Sequence, residues 1–379
     1  MSDPCGGEPP PPPLAAGPPA GSPAPERPAG SEGGRGRPRS RPSWLRAGLV
    51  SILVLLVGAV LGTAWFRMER AYSLRPPAVA ETTDGWRVIG GPGRRFSGLA
   101  LNGPRLLWQN GPSIEYLDLT SGKLRLLGPG PGMRSTWAPA VGERYAVWFE
   151  ADRTGGLAAQ VVAYDTGSGR RWPLADIGSV YSYPAVSGET AVWCAAAKIG
   201  EPRLGGALIS TGAPFDIAPE YGTPVVSDGL VVWARGPSGP FTARELSGGR
   251  PWSVAAGTPG GELTGFALAA RALVWGQVTP GGDSGSILAA PVDGGEAQAV
   301  ATGVAGLVGP AFDGRTVVWA ERDDDASAYR IRGRRLADGP AFTIAAVPGP
   351  VTDVAVSGDV AAWLATAGGG ALVETTELP

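Results

Sequence analysis

The side chains that could do chemistry in this chain are carboxylates, arginines and tyrosines, because its 379 residues include no histidine and two cysteines. Without imidazole, no Ser-His-Asp or Cys-His pair can be assembled. Histidine zinc sites are excluded, two thiols make no thiolate-rich site, and the usual proton shuttle near neutral pH is missing. Cys5 and Cys194 stand in no motif. Acid–base work would therefore fall to carboxylates. A glycan hydrolase or lyase built that way needs two acids facing each other at roughly 5–10 Å. Glu220 and Asp353 are the best candidates by loop position, but they belong to distant copies of the repeat described below. Asp323, Asp324 and Asp325 are adjacent carboxylates that lack the alternating ligand spacing of a calcium loop, and they read as a solvated loop tip. The expectation is no catalytic residue, no cofactor and no metal.

A repeat must position these groups. Trp108, Trp148, Trp193, Trp233, Trp275, Trp319 and Trp363 recur at spacings of 40, 45, 40, 42, 44 and 44 residues. PAVGERYAVW, PAVSGETAVW, PVVSDGLVVW, PAFDGRTVVW and VAVSGDVAAW are its clear copies; LALNGPRLLW and FALAARALVW are looser ones. Each reads as a hairpin: a short apolar strand, a tight turn such as Asp313-Gly314, then a strand ending in Trp. Stretches such as IEYLDLTSGKLRLL supply two further strands. A period of this length carrying four strands, named a to d outward from the axis, fits propeller blades. The last copy stops after a strand c, ALVETTEL, while GWRVIG at 85–90 precedes the first copy and resembles a strand d. We expect an all-β, seven-bladed propeller over 85–379, its N-terminal strand closing the last blade and covering the sheet edge. The repeat tryptophans are expected to fill the space between blades.

The VSGxxVVW hairpin followed by a YDxxTG turn resembles the TolB-like β-propeller repeat, a relative of WD-type propellers. The resemblance spans about 85–379. It implies an extracytoplasmic propeller that binds protein partners through one face. The chain departs from TolB itself in having no separate α/β domain before the repeat, and ALISTG at 207–212 keeps only the end of the turn.

Propeller ligands favour the channel mouth formed by the d-to-a and b-to-c loops. Twelve residues before each repeat Trp stand Phe96, Thr136, Tyr181, Tyr221, Leu263, Leu307 and Val351. The candidate patch is Phe96, Arg94, Arg134, Trp137, Tyr181, Tyr183, Glu220, Tyr221 and Asp353. Aromatics and Arg are the residue types that dominate binding hot spots. The competing role for these positions is plain packing of the crossover.

Ahead of the repeat the composition changes twice. Residues 1–46 hold 13 Pro and 8 Gly with almost no large apolar residue, so they read as a disordered, cytoplasmic tail. The proline run at 9–13 favours polyproline II and would suit a proline-recognising partner. Residues 47–66 are 20 uncharged residues, enough to cross a bilayer as one transmembrane helix. Arg35, Arg37, Arg39, Arg41 and Arg46 before the span outnumber Arg67, Arg70 and Arg75 after it, which places the N-terminus inside. Gly58 and Gly62 allow two spans to pack, at most as a weak homodimer. A cleaved signal peptide is the competing reading, since Ala78-Val79-Ala80 fits an A-x-A site, though far beyond the span. Residues 67–84 read as a juxtamembrane linker. With Cys5 and Cys194 on opposite sides of the membrane, no disulfide is expected.

The formal charge is −2 overall and −4 over 67–379, with no basic stripe for nucleic acid. The expected function is a signal-anchored module or scaffold at the plasma membrane, binding an envelope protein, peptide or other ligand. The alternatives are a carboxylate-based envelope glycan hydrolase or lyase, and the ectodomain of a transmembrane sensor.

Overall fold

The computed structural model describes residues 77–379 except 84, 93–95, 153–158, 197–199, 255–260, 324–326, 338 and 368–369. The expected tail, the span at 47–66, Cys5, Arg94, Asp324 and Asp325 lie outside the described residues. Among the described residues, no helix is long and apolar enough to cross a membrane.

The strands form seven antiparallel sheets. In chain order they occupy 96–127, 135–177, 185–218, 223–253, 262–305, 308–347 and 351–377, and are numbered blades 1 to 7. Sheet order is a-b-c-d in the first six blades. The b strands are β-branched and apolar because neighbouring blades cover both their faces. Leu230–Ala234 in blade 4, for example, is buried at every position. The a-to-b turns use glycine at positive φ, as in Gly188 at 54° and Gly358 at 60°. Blades 2 and 5 differ: the blade 2 turn has no residue at positive φ, and in blade 5 Ala270 at 47° and Arg271 at 57° make the turn without glycine. Arg271 is held there by ion pairs to Asp293 at 2.5 Å and Glu245 at 2.8 Å.

Closure follows the expected route. Gly85–Pro92 lies antiparallel to Gly370–Glu377, with Arg87 opposite Glu374 and Val88 opposite Val373. Blade 7 has one strand more than expected. Ala78–Thr82, read from sequence as part of a linker, pairs outside Gly85–Pro92 with Glu81 opposite Trp86. The A-x-A match therefore sits inside a paired strand.

Seven apolar clusters hold the ring, one at each blade-to-blade junction. Each repeat Trp enters the cluster shared with the preceding blade: Trp148 packs with blade 1 residues, Trp193 with blade 2, and Trp108 with blade 7. All seven are buried. At about 25 cal/mol per Å² over a ~200 Å² side chain, each contributes up to about 5 kcal/mol. Cys194 is buried and free.

Candidate functional site

The crossovers entering blades 3 and 4 are built differently from the rest. In blades 1, 2, 5 and 7 strand a starts early, at Phe96, Ser135, Glu262 and Val351, so it includes the position twelve before the repeat Trp. That position is then drawn toward the interblade core: Phe96 is buried with its ring 5.9 Å from Trp108, and Val351 is buried as well. In blade 6, Leu307 immediately precedes strand a and is also buried. Blades 3 and 4 begin strand a only at Ala185 and Thr223. Tyr181, Tyr183 and Tyr221 precede those starts and stand out, 41%, 63% and 40% exposed.

Two crossovers thus bring three phenols to the same mouth. Tyr181 and Tyr221 meet edge to face with ring centroids 6.4 Å apart. Their backbones are fixed from beneath. The Tyr181 amide donates to Cys194 O at 3.1 Å, and Ser182 Oγ accepts from the Cys194 amide at 3.1 Å. On the blade 4 side, a Cβ on Gly222 would lie 2.6 Å from the Trp233 ring, so only glycine lets the crossover rest on that indole and aim Tyr221 outward.

The remaining candidates do other work or lie apart. Trp137 is half-buried, its ring 5.9 Å from that of Phe149. Arg134 is exposed, with its amide donating to Ala151 O at 2.8 Å. Glu220 caps the repeat tryptophan of its own blade, accepting from Trp233 Nε1 at 2.9 Å and pairing with Arg235 Nε at 3.0 Å. The same Trp–Glu–Arg unit recurs in three other blades. Trp148 donates to Glu150 at 2.7 Å, Trp319 to Glu321 at 3.2 Å and Trp363 to Glu374 at 3.1 Å. Those acids pair with Arg171, Arg332 and Arg87. The sequence signal for these caps was a Glu two residues after Trp, present in two copies only. Among the described residues, the indole N–H groups of Trp108 and Trp275 have no acceptor.

Asp353 belongs to the blade 7–blade 1 seam. Its carboxylate accepts from the Leu99 amide of blade 1 at 2.8 Å and from the Val354 amide at 3.0 Å. Burial outweighs those two donors and pushes its pKa up to about 6. A carboxyl raised in the folded state stabilises the fold most below its unfolded value near 3.9, and that stability is lost as pH rises through about 6. The cost at neutral pH is at most about 3 kcal/mol. Thermal melts from pH 4 to 7 should therefore show a fall in Tm for the wild type that Asp353→Asn largely removes. Parallel curves for the two proteins would contradict it.

Glu220 and Asp353 are each engaged on their own blade or its neighbour, and the contacts made by each do not include the other. Among the described residues, no group of three or more Cys, Asp or Glu side chains gathers as a metal cage. Asp323 is paired with Arg330.

No protein-family model matches the chain, and no curated protein does. Solved structures share its architecture. An oligogalacturonate lyase from Vibrio parahaemolyticus superposes with a TM-score of 0.56 at 13% identity, over 80% of this chain and 99% of that one. The β-propeller domain of the Trilobed protease from Pyrococcus furiosus gives 0.56 at 8% identity, over 76% and 98%. That domain has an open velcro topology, whereas blade 7 here is closed by its N-terminal strand. TolB from Acinetobacter baumannii gives 0.43 at 13% identity, over 79% of each chain. For the lyase and the protease domain, at these identities, the likeness is one of fold.

Proposed function

We propose that this chain is a membrane-anchored binding module, tethered through 47–66 with its propeller outside the cytoplasm, and that it binds an envelope protein or peptide rather than catalysing a reaction. The observation that carries the reading is the tyrosine surface. Among the described residues, Tyr181, Tyr183 and Tyr221 are three of the five exposed large hydrophobic side chains. All three lie on adjacent crossovers at one mouth, while Leu126 and Leu208 are isolated on strands of blades 1 and 3. Tyrosine offers a large, stiff, amphipathic contact area at low entropic cost, the property that makes it frequent in binding surfaces. The lack of histidine and the separate engagement of Glu220 and Asp353 support binding over acid–base catalysis.

A photo-reactive amino acid placed at Tyr183 in intact cells should give a discrete cross-linked adduct, and one at Leu126 should not. Equal labelling from both positions, or none from Tyr183, would sink the proposal. Protease added to intact cells should digest the propeller and spare the tail; the reverse would overturn the topology.

A further inference from the structure

We infer that the closure of blade 7 builds a second, polar binding site, for an ammonium or guanidinium group. The inference goes beyond the tyrosine surface and does not depend on it. A cleft of about 550 Å³ runs beneath the rim of blade 7, from Thr343 in strand d of blade 6 to Leu119 in the c-to-d turn of blade 1. It opens at the c-to-d end of the blade, where Gly370–Glu377 ends and Gly85–Pro92 begins. The tyrosines occupy the opposite, d-to-a end. Its lining comes from both termini of the propeller, so the site exists only in the closed ring.

The lining selects a cation. Glu81 stands directly opposite Trp86 in the antiparallel pair of Ala78–Thr82 with Gly85–Pro92, which puts carboxylate and indole on one face of the sheet. The Trp86 amide donates to Thr375 Oγ1 at 2.9 Å, so Trp86 lies across from Thr375. Glu377, two residues further on, shares that face. Both Glu81 and Glu377 are exposed, and neither makes an ion pair among the described residues. Thr82, Thr343 and Thr376 also line the cleft. The Trp86 N–H is spent on Leu119 O at 2.9 Å, and that bond holds the ring in place.

Two free carboxylates and an indole complement a cationic group that donates several hydrogen bonds and rests against a π system. A metal ion fits less well. It needs six or more oxygens within about 2.6 Å, and among the described residues no three acids, histidines or cysteines come together. The volume lies in the range of small-molecule sites. Two cations border the region. Arg87 is committed to Glu374, and Arg335 donates to Pro379 O at 2.8 Å.

Calorimetric titration of the full chain tests the inference, with agmatine, a capped Gly-Arg-Gly peptide, glucose and inorganic phosphate as probes. Agmatine is expected to bind, more weakly as salt is added, and the double variant Glu81→Gln, Glu377→Gln should weaken it at least tenfold. Binding of the peptide as well would assign the site to arginine side chains of a partner; agmatine alone would assign it to a free organic cation. Glucose and phosphate should give no heat. Should the double variant fail to fold, Glu377→Gln alone should still weaken agmatine severalfold. Absence of agmatine binding, equal binding by wild type and variants, or binding of phosphate would overturn the site. Loss of the cross-link at Tyr183 would leave it untouched.

Discussion

Replacing Gly122 with valine should destabilise the propeller by about 3–5 kcal/mol, one of the largest effects available outside the core strands. Gly122 sits in the c-to-d turn of blade 1 at φ +65°, and a Cβ there would lie 2.2 Å from the Trp86 ring. The ring cannot yield without breaking the Trp86 Nε1 bond to Leu119 O. Trp86 belongs to the strand that closes blade 7, so the clash acts on closure. Gly188→Val is the matched control: its φ is +54°, and among the described residues nothing lies within 4 Å of its added Cβ. That variant carries only the backbone strain, about 1–2 kcal/mol. Thermal melts should separate the two by roughly 5 °C or more. A Trp86→Ala background should recover part of the Gly122→Val loss, as two residues in contact require. Equal Tm losses at both glycines would mean that Trp86 does not hold the ring shut.

The second large effect is expected at Glu150. Its side chain is fully buried. It accepts from Trp148 Nε1 at 2.7 Å, the Gly130 amide at 3.1 Å and Gln160 Nε2 at 3.2 Å, and it pairs with Arg171. The Gly130 bond reaches from the hub to the crossover arriving from blade 1. Glu150→Ala strands four donors, among them a guanidinium with little access to water. Removing one partner of a buried pair costs about 3–5 kcal/mol. Glu150→Gln keeps one acceptor oxygen and should cost about 2 kcal/mol. Chemical denaturation with an unchanged m-value would assign the loss to the folded state. If alanine and glutamine cost the same, the hub does not depend on its charge.

Particular residues show how far the sequence carried. The seven tryptophans and the missing last strand d were enough to place the ring and its closure, because both are counted along the chain. Ala78–Thr82 escaped notice because five small or polar residues give no alternating apolar face to read. The Trp–Glu–Arg units escaped for another reason. Glu150 and Glu321 follow their tryptophans by two residues, but Glu220 comes thirteen before Trp233 and Glu374 eleven after Trp363. A common spatial position reached from different strands leaves no common spacing. The tyrosine surface was half legible. Counting twelve residues back from each Trp put Phe96 and Tyr181 in one class, yet Phe96 is buried and Tyr181 stands out. What separates them is where strand a begins. Register gives a place along the chain, but the distance at which a crossover stands off the sheet depends on its hydrogen bonds to the strand beneath.

That standoff is the physical basis for reading the molecule as a binding module. The most direct measurement is the affinity of the partner captured at Tyr183 for the wild-type chain and for Tyr181→Ser with Tyr221→Ser. Serine at two exposed positions should leave Tm within about 1–2 °C of wild type, because surface changes of this kind alter stability little. The affinity should fall at least tenfold, as expected for the loss of hot-spot aromatics. Unchanged affinity with unchanged Tm would contradict the account.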